Sequence, residues 1–165
     1  MSGMSSPRLP AVVLATVLLA GCANAPKPPP PTEREWVDNA SGFVDGLRDS
    51  LELSANGGSD LVSARRALHS DSDLYIILVA YTRFGGCRQT LDNVGVPTLR
   101  LRHVERTLRL ACAKLERSAA LFTQAMTDSD PRALVAADHV ALRAEPFLSR
   151  AKAQLDAIRP SGPAG

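Results

Sequence analysis

Leu74-Tyr75-Ile76-Ile77-Leu78-Val79-Ala80-Tyr81-Thr82-Arg83-Phe84 is the stretch whose reading decides the fold. Taken alone, Ile76-Ile77-Leu78-Val79 has the continuous apolar character of a buried strand. A strand needs partners, and no second strand candidate occurs in the chain. The apolar run also continues to Leu91, well beyond the roughly 5–6 residues of an ordinary strand. Length and the missing partner together predict a buried helix over 74–91, entered through the capping residues Ser70-Asp71-Ser72-Asp73. Gly85 and Gly86 each lower helix propensity by about 1 kcal/mol relative to alanine, so a kink or a closely approaching neighbour is expected there. Val94-Gly95-Val96-Pro97 reads as the turn that follows.

On either side the periodicity is that of amphipathic helices. Thr32-Glu33-Arg34-Glu35 has the spacing of a capping box. Beyond it Trp36, Ala40, Phe43, Val44, Leu47 and Leu51 form one stripe, ended by Asn56-Gly57-Gly58. Ser59 or Asp60 is placed to cap a short helix carrying Leu61, Ala64 and Leu68. Thr98 is expected to open a long helix with Leu101, Val104, Leu108, Ala111, Leu115, Ala119, Phe122 and Met126 on one face. Asp130-Pro131 starts another, with Leu134, Ala137, Ala141, Leu148, Ala151, Leu155 and Ile158. Pro146 lies inside this last stripe and is expected to bend the helix or divide it after Glu145. The fold class predicted is all-α: an up-and-down bundle of about four helices, the last kinked at Pro146. Aromatic residues make up only 4% of the chain, so the core must be built from Leu, Val, Ile and Ala.

The N-terminal segment is of another kind. Arg8 supplies a positive start, Leu9 to Ala20 is apolar with one interruption at Thr16, and Leu19-Ala20-Gly21-Cys22 closes it with two small residues before a cysteine. The run is shorter than the about 20 apolar residues that cross a bilayer, and it ends in a small-residue cleavage pattern. Leu19-Ala20-Gly21-Cys22 resembles the lipobox of bacterial lipoproteins. The resemblance implies cleavage between Gly21 and Cys22, acyl chains on Cys22, and residence on the outer face of the cytoplasmic membrane or on the outer membrane. Ala23, where an aspartate would favour retention on the inner membrane, favours outer-membrane delivery by the same analogy.

The domain reading follows: signal peptide 1–21, lipidated cysteine and proline-rich tether 22–32, helical bundle 33–159, and flexible tail 160–165. Pro26 and Pro28 to Pro31 forbid helix and cannot donate to a ladder, so the tether is expected to be extended. At about 3.1 Å per residue, Pro26 to Pro31 would reach roughly 19 Å. A passive stalk is preferred here over a proline-rich recognition ligand.

With Cys22 given to lipid, Cys87 and Cys112 remain of the three cysteines. In the extracytoplasmic compartment that the lipobox implies, such a pair is most simply a disulfide. Antiparallel packing about the Pro97 turn would bring the two together. A redox or metal thiol pair is the alternative, but the separation lacks the close spacing of either.

Chemistry is harder to find. His69, His103 and His139 are scattered and form no HExxH or ExxH pair, and Asp138-His139 are adjacent helical residues pointing about 100° apart. No catalytic residue, metal site or cofactor is assigned. The net charge of +2 argues against nucleic acid as a partner. Charge is nonetheless uneven: six acids against two bases from Glu33 to Glu52, and six bases against two acids from Arg100 to Arg117. Arg102, Arg106 and Arg109 share one helical face. They form either a solvated face that complements the acidic first helix or a surface for an anionic partner.

The expected function is therefore that of a membrane-anchored, non-catalytic binding or adaptor module for an envelope component. A bundle on a lipid tether resembles small helical pilotin lipoproteins, which escort secretin subunits; the likeness is one of architecture. A groove beside the Pro146 bend, near Phe147, is the expected docking place. The other readings are an apolar-ligand or lipid carrier, which would need a large internal pocket, and a cell-wall enzyme, which would need a cleft of carboxylates and histidines.

Overall fold

A computed structural model describes residues 29–159. The expected signal peptide, the expected cleavage between Gly21 and Cys22, the expected lipidation of Cys22, most of the expected tether and the expected tail from Pro160 fall outside the described residues. Within them the chain is all-α, as its periodicity requires. The helices are α1 (Glu33–Gly58), α2 (Leu61–Ala67), α3 (Asp71–Gly85), α4 (Cys87–Val94), α5 (Arg102–Asp128), α6 (Pro131–Leu142) and α7 (Glu145–Ile158), with a 3-10 turn at Leu99–Leu101.

Six of these helices fill four columns, because two of the expected helices are divided, and the short α2 links the first column to the second. α1 ascends; α3 and α4 descend; α5 ascends; α6 and α7 descend. α5 packs against α3, α4, α6 and α7, while α1 closes the bundle from the other side against α3, α6 and α7. The first division falls at Gly86, between α3 and α4. The second falls at Arg143 and Ala144, just ahead of Glu145, so that Pro146 occupies the first turn of α7. A proline there loses no helical hydrogen bond, which is why it starts a helix and does not kink one. Likewise α5 begins at Arg102, with the 3-10 turn occupying the positions after Thr98.

Local chemistry sets the helix starts. Thr32 and Glu35 close the reciprocal capping box, the Thr32 N–H donating to Glu35 Oε2 at 2.8 Å and the Glu35 N–H to Thr32 Oγ1 at 3.3 Å. Asp60, Ser70 and Asp130 cap α2, α3 and α6 with their side chains. α4 has no such cap of its own. Glu116 of α5 supplies one from outside, accepting the Arg88 backbone N–H at 3.0 Å and holding the Arg88 guanidinium as well.

The core is one cluster of leucines, valines and alanines with Trp36, Phe84, Tyr81 and Phe122. Tyr81 stacks on Phe122 with ring centroids 4.2 Å apart. Buried Ala40, Ala80, Ala111, Ala137 and Ala151 let the helices approach closely. At Gly57 the approach is tightest, since a side chain there would strike Ile77. Cys87 and Cys112 are fully buried and joined, their Cα atoms 5.2 Å apart. The disulfide and the Glu116 cap thus fasten the start of α4 to the middle of α5.

The 74–85 segment departs from the expected all-round burial. Ile77, Ala80, Tyr81 and Phe84 face the core, whereas Tyr75, Ile76 and Leu78 are exposed. α3 is an outer helix covered by α1, α2 and α5, so only the stripe that faces them is buried.

Gly95 ends α4 with φ 99° and ψ 177°, a conformation reached almost only by glycine. A Cβ there would also lie 2.7 Å from Pro31 Cγ. Gly95→Ala is expected to lower stability by at least about 1 kcal/mol, read as a lower urea midpoint at unchanged slope.

Candidate functional site

The corner where α6 turns into α7 does not close fully onto α5. A groove of about 370 Å³ remains there, open to solvent. Its apolar lining comes from three helices: Leu110 and Ala113 of α5, Val140 of α6 and Phe147 of α7. Leu110 is exposed at 51% although its helix, α5, packs against α3, α4, α6 and α7. Lys114, Arg117 and Arg143 complete the lining, so the charged part is wholly cationic. Lys114 Nζ lies 5.3 Å from the Phe147 ring centroid, on its face. This is the place beside Pro146 that the sequence marks for a groove.

The acids of the surrounding helices are turned elsewhere. Glu105 pairs with Arg109, Glu116 with Arg88 across to α4, and Glu145 with Arg48 across to α1. Among the described residues Lys114, Arg117 and Arg143 form no ion pair within 4.0 Å. Their charge is available to an anionic group entering the groove.

The three sequence-marked arginines separate. Arg109 is held by Glu105 and Asp92, each at 2.8 Å, and these hydrogen bonds push its guanidinium pKa above the usual value. Arg102 and Arg106 remain exposed and make no ion pair among the described residues. Helical spacing sets Arg106 one turn before Leu110, next to the groove. The acidic first helix is complemented chiefly by α7 and the residue that caps its end, through Asp45–Lys152 and Asp38–Arg159. The arginine face of α5 takes little part, with Glu33–Arg100 as the link from the turn that precedes it.

A second polar feature is internal. Asp138 of α6 is 1% exposed, and neither carboxylate oxygen has a hydrogen-bond partner. Ser54 of α1 and Tyr81 of α3 face it. Ser118 of α5 donates to the Ala137 carbonyl at 2.6 Å and the Tyr81 hydroxyl is itself unpartnered. Burial pushes the Asp138 carboxyl above its ordinary range, with His139 and Ser54 opposing. Burial and the nearby Asp138 likewise push the Tyr81 phenol up, against the Ser118 hydroxyl. Asp138, Ser54 and Ser118 are buried inside the bundle, and Tyr81 also lines a surface groove between α3 and α5.

The histidines lie apart. His103 Nδ1 sits 2.9 Å from the Arg100 carbonyl, His139 points to solvent beside buried Asp138, and His69 lines a small groove with Met126 and Pro131. Among the described residues no three His, Cys, Asp or Glu side chains are grouped as metal ligands would be. No described helix is long and apolar enough to cross a membrane.

Lys114 and Arg117 are legible in the sequence as part of a basic helix, but nothing in it ties them to Arg143. Only the α6–α7 turn does so. No family model, curated protein or solved structure matches the chain.

Proposed function

We propose that the chain is a lipid-anchored extracytoplasmic adaptor whose α5–α6–α7 groove receives a helical segment of an envelope protein, with acidic residues beside its apolar ones. The observation that carries this reading is the pairing in one groove of an apolar lining with three cations that make no ion pair among the described residues. Apolar anchors spaced three or four apart on an incoming helix would meet Leu110, Val140 and Phe147, and its acids would meet Lys114, Arg117 and Arg143. Nucleic acid is disfavoured by charge and by the compartment that the lipobox implies. The grooves among the described residues open at the surface, a form suited to docking more than to carriage of an apolar molecule.

Two measurements test it. Mass spectrometry of the N-terminal peptide from cells is expected to find it starting at Cys22 and bearing acyl chains; an intact leader would overturn the anchor. A photo-crosslinking residue at Ala113 is expected to trap one dominant protein in cells, through an acidic amphipathic segment. The adduct should fall on the order of a hundredfold when Lys114, Arg117 and Arg143 become glutamate, since three lost contacts at about 1 kcal/mol each come to about 3 kcal/mol. Equal trapping from the same residue at Asp49, on the exposed face of α1, would count against the groove.

A further inference from the structure

The described chain begins at one particular end of the bundle. Pro31 rests against Gly95, and Trp36 donates its indole N–H to the Gly95 carbonyl at 2.9 Å. Thr98 and Arg100 both reach Glu33, at 3.1 and 3.7 Å. The connection from Gly95 to Arg102 and the point where the tether enters are therefore one assembly. Whatever its conformation, the segment from Cys22 to Pro30 spans no more than about 30 Å. α5 has 27 residues and is about 40 Å long. A lipid on Cys22 would thus keep this end, and not the far one at Gly58 and Asp128, within about 30 Å of the bilayer.

The same end carries apolar side chains that packing leaves out. Val96 is 74% and Leu99 82% exposed, the two highest exposures among the large apolar side chains of the described residues. They flank Pro97 and Thr98 on a backbone pinned by Trp36, Pro31 and Glu33, so they are held outward by a fixed loop. Arg34, Arg100 and Arg102 are exposed at the same end of the bundle, Arg100 while 3.7 Å from Glu33. The acids nearby are engaged: Glu33 by Thr98 and Arg100, Glu35 by the Thr32 cap, Asp38 by Arg159.

We infer that the 95–102 connection is a second membrane contact, in which Val96 and Leu99 enter the bilayer interface while Arg34, Arg100 and Arg102 meet anionic headgroups. The inference takes its geometry of approach from the lipid-anchor reading above. A single chain or a small apolar loop binds a bilayer only weakly, and a second signal converts that into stable orientation. Docking here would set the bundle upright and turn the α5–α6–α7 groove sideways, clear of the headgroups.

The test uses the mature chain from residue 22 with Cys22→Ser and an N-terminal histidine tag, held on nickel-lipid vesicles containing phosphatidylglycerol. An environment-sensitive fluorophore is attached to Leu99→Cys or, as control, to Thr127→Cys at the far end. Emission from position 99 is expected to shift to the blue and to resist iodide quenching, with position 127 unchanged. Arg34→Gln, Arg100→Gln and Arg102→Gln together should restore quenching at position 99. In the untagged, unlabelled chain, Val96→Ser with Leu99→Ser should weaken sedimentation with these vesicles by about tenfold at unchanged melting temperature. Iodide quenching at position 99 that is as complete on vesicles as in solution overturns the inference, and so does equal protection at position 127. The nickel tether separates the two proposals: docking on it supports the second contact even if Cys22 proves unacylated in cells, and an acylated Cys22 with position 99 fully quenched overturns the contact alone.

Discussion

Replacing Cys87 and Cys112 together by alanine is expected to lower the stability of the domain by about 3.5 kcal/mol, from the loop entropy of a 25-residue closure. For a domain of this size the melting temperature should fall by on the order of 10 °C. The loss has a definite location. α4 is eight residues long and has no side-chain cap of its own; its start is held to α5 by the disulfide and by Glu116. Without the crosslink, amide exchange should therefore rise first in α4 and in the 95–101 turn, while α5 and α6 stay protected. Wild-type protein treated with reductant should coincide with the double variant. A double variant that melts with the oxidised wild type would show that the bond contributes nothing to the fold.

Asp138→Asn is expected to stabilise the protein at neutral pH by about 2 kcal/mol, because the variant removes a buried carboxyl that has no hydrogen-bond partner and keeps its shape. The benefit should depend on pH in a defined direction. Burial raises the carboxyl pKa in the folded state above its value of 3.8 in the unfolded chain, so the native state holds the proton more tightly. Between the two values folding takes up a proton, and wild-type stability rises as pH falls. It is fully present below 3.8 and is lost as pH rises through the folded pKa. The groups facing Asp138 are Ser54 of α1 and Tyr81 of α3, with His139 beside it on α6. Neither of the first two is charged near neutrality, which leaves burial dominant. Denaturant titrations at pH 4 and pH 7 should show the variant and wild type converging at the lower pH. A constant difference at both would mean that the carboxyl is not the source.

Much of the architecture is legible in short-range pattern. Thr32 with Glu35, Asp60, Ser70, and Asp130 before Pro131 announce the helix starts because each cap acts within three residues of itself. The Ile76 to Val79 run resolves to helix through its length, and Gly86 and the neighbourhood of Pro146 divide two columns because these residue types weaken or start helices wherever they stand. The left-handed cap at Ser129, φ 52°, is not legible, since serine carries no signal for that conformation. Nor is the exposed side of α3: Tyr75, Ile76 and Leu78 resemble core residues until the helix is seen at the edge of the bundle.

The site divides in the same way. The stripe of Arg102, Arg106 and Arg109 follows from a 3.6-residue period, but Asp92 on α4 withdraws Arg109 from it. Lys114 and Arg117 gain their meaning only when the α6–α7 corner sets Arg143 and Phe147 beside them. Asp138 and His139 are neighbours in sequence and opposites in environment, one sealed and one in water. By itself the sequence determined the helical class, the caps, the two cysteines left to pair and the lipobox resemblance, because each rests on interactions or processing signals that are local along the chain. The tertiary structure decided which charges are neutralised, which carboxyl is buried, which apolar residues stay outside and at which end of the bundle Pro31 and Thr32 lead into α1. Those depend on partners tens of residues away, and a charge or a side chain acquires its solvent and its counterion only when the helices pack.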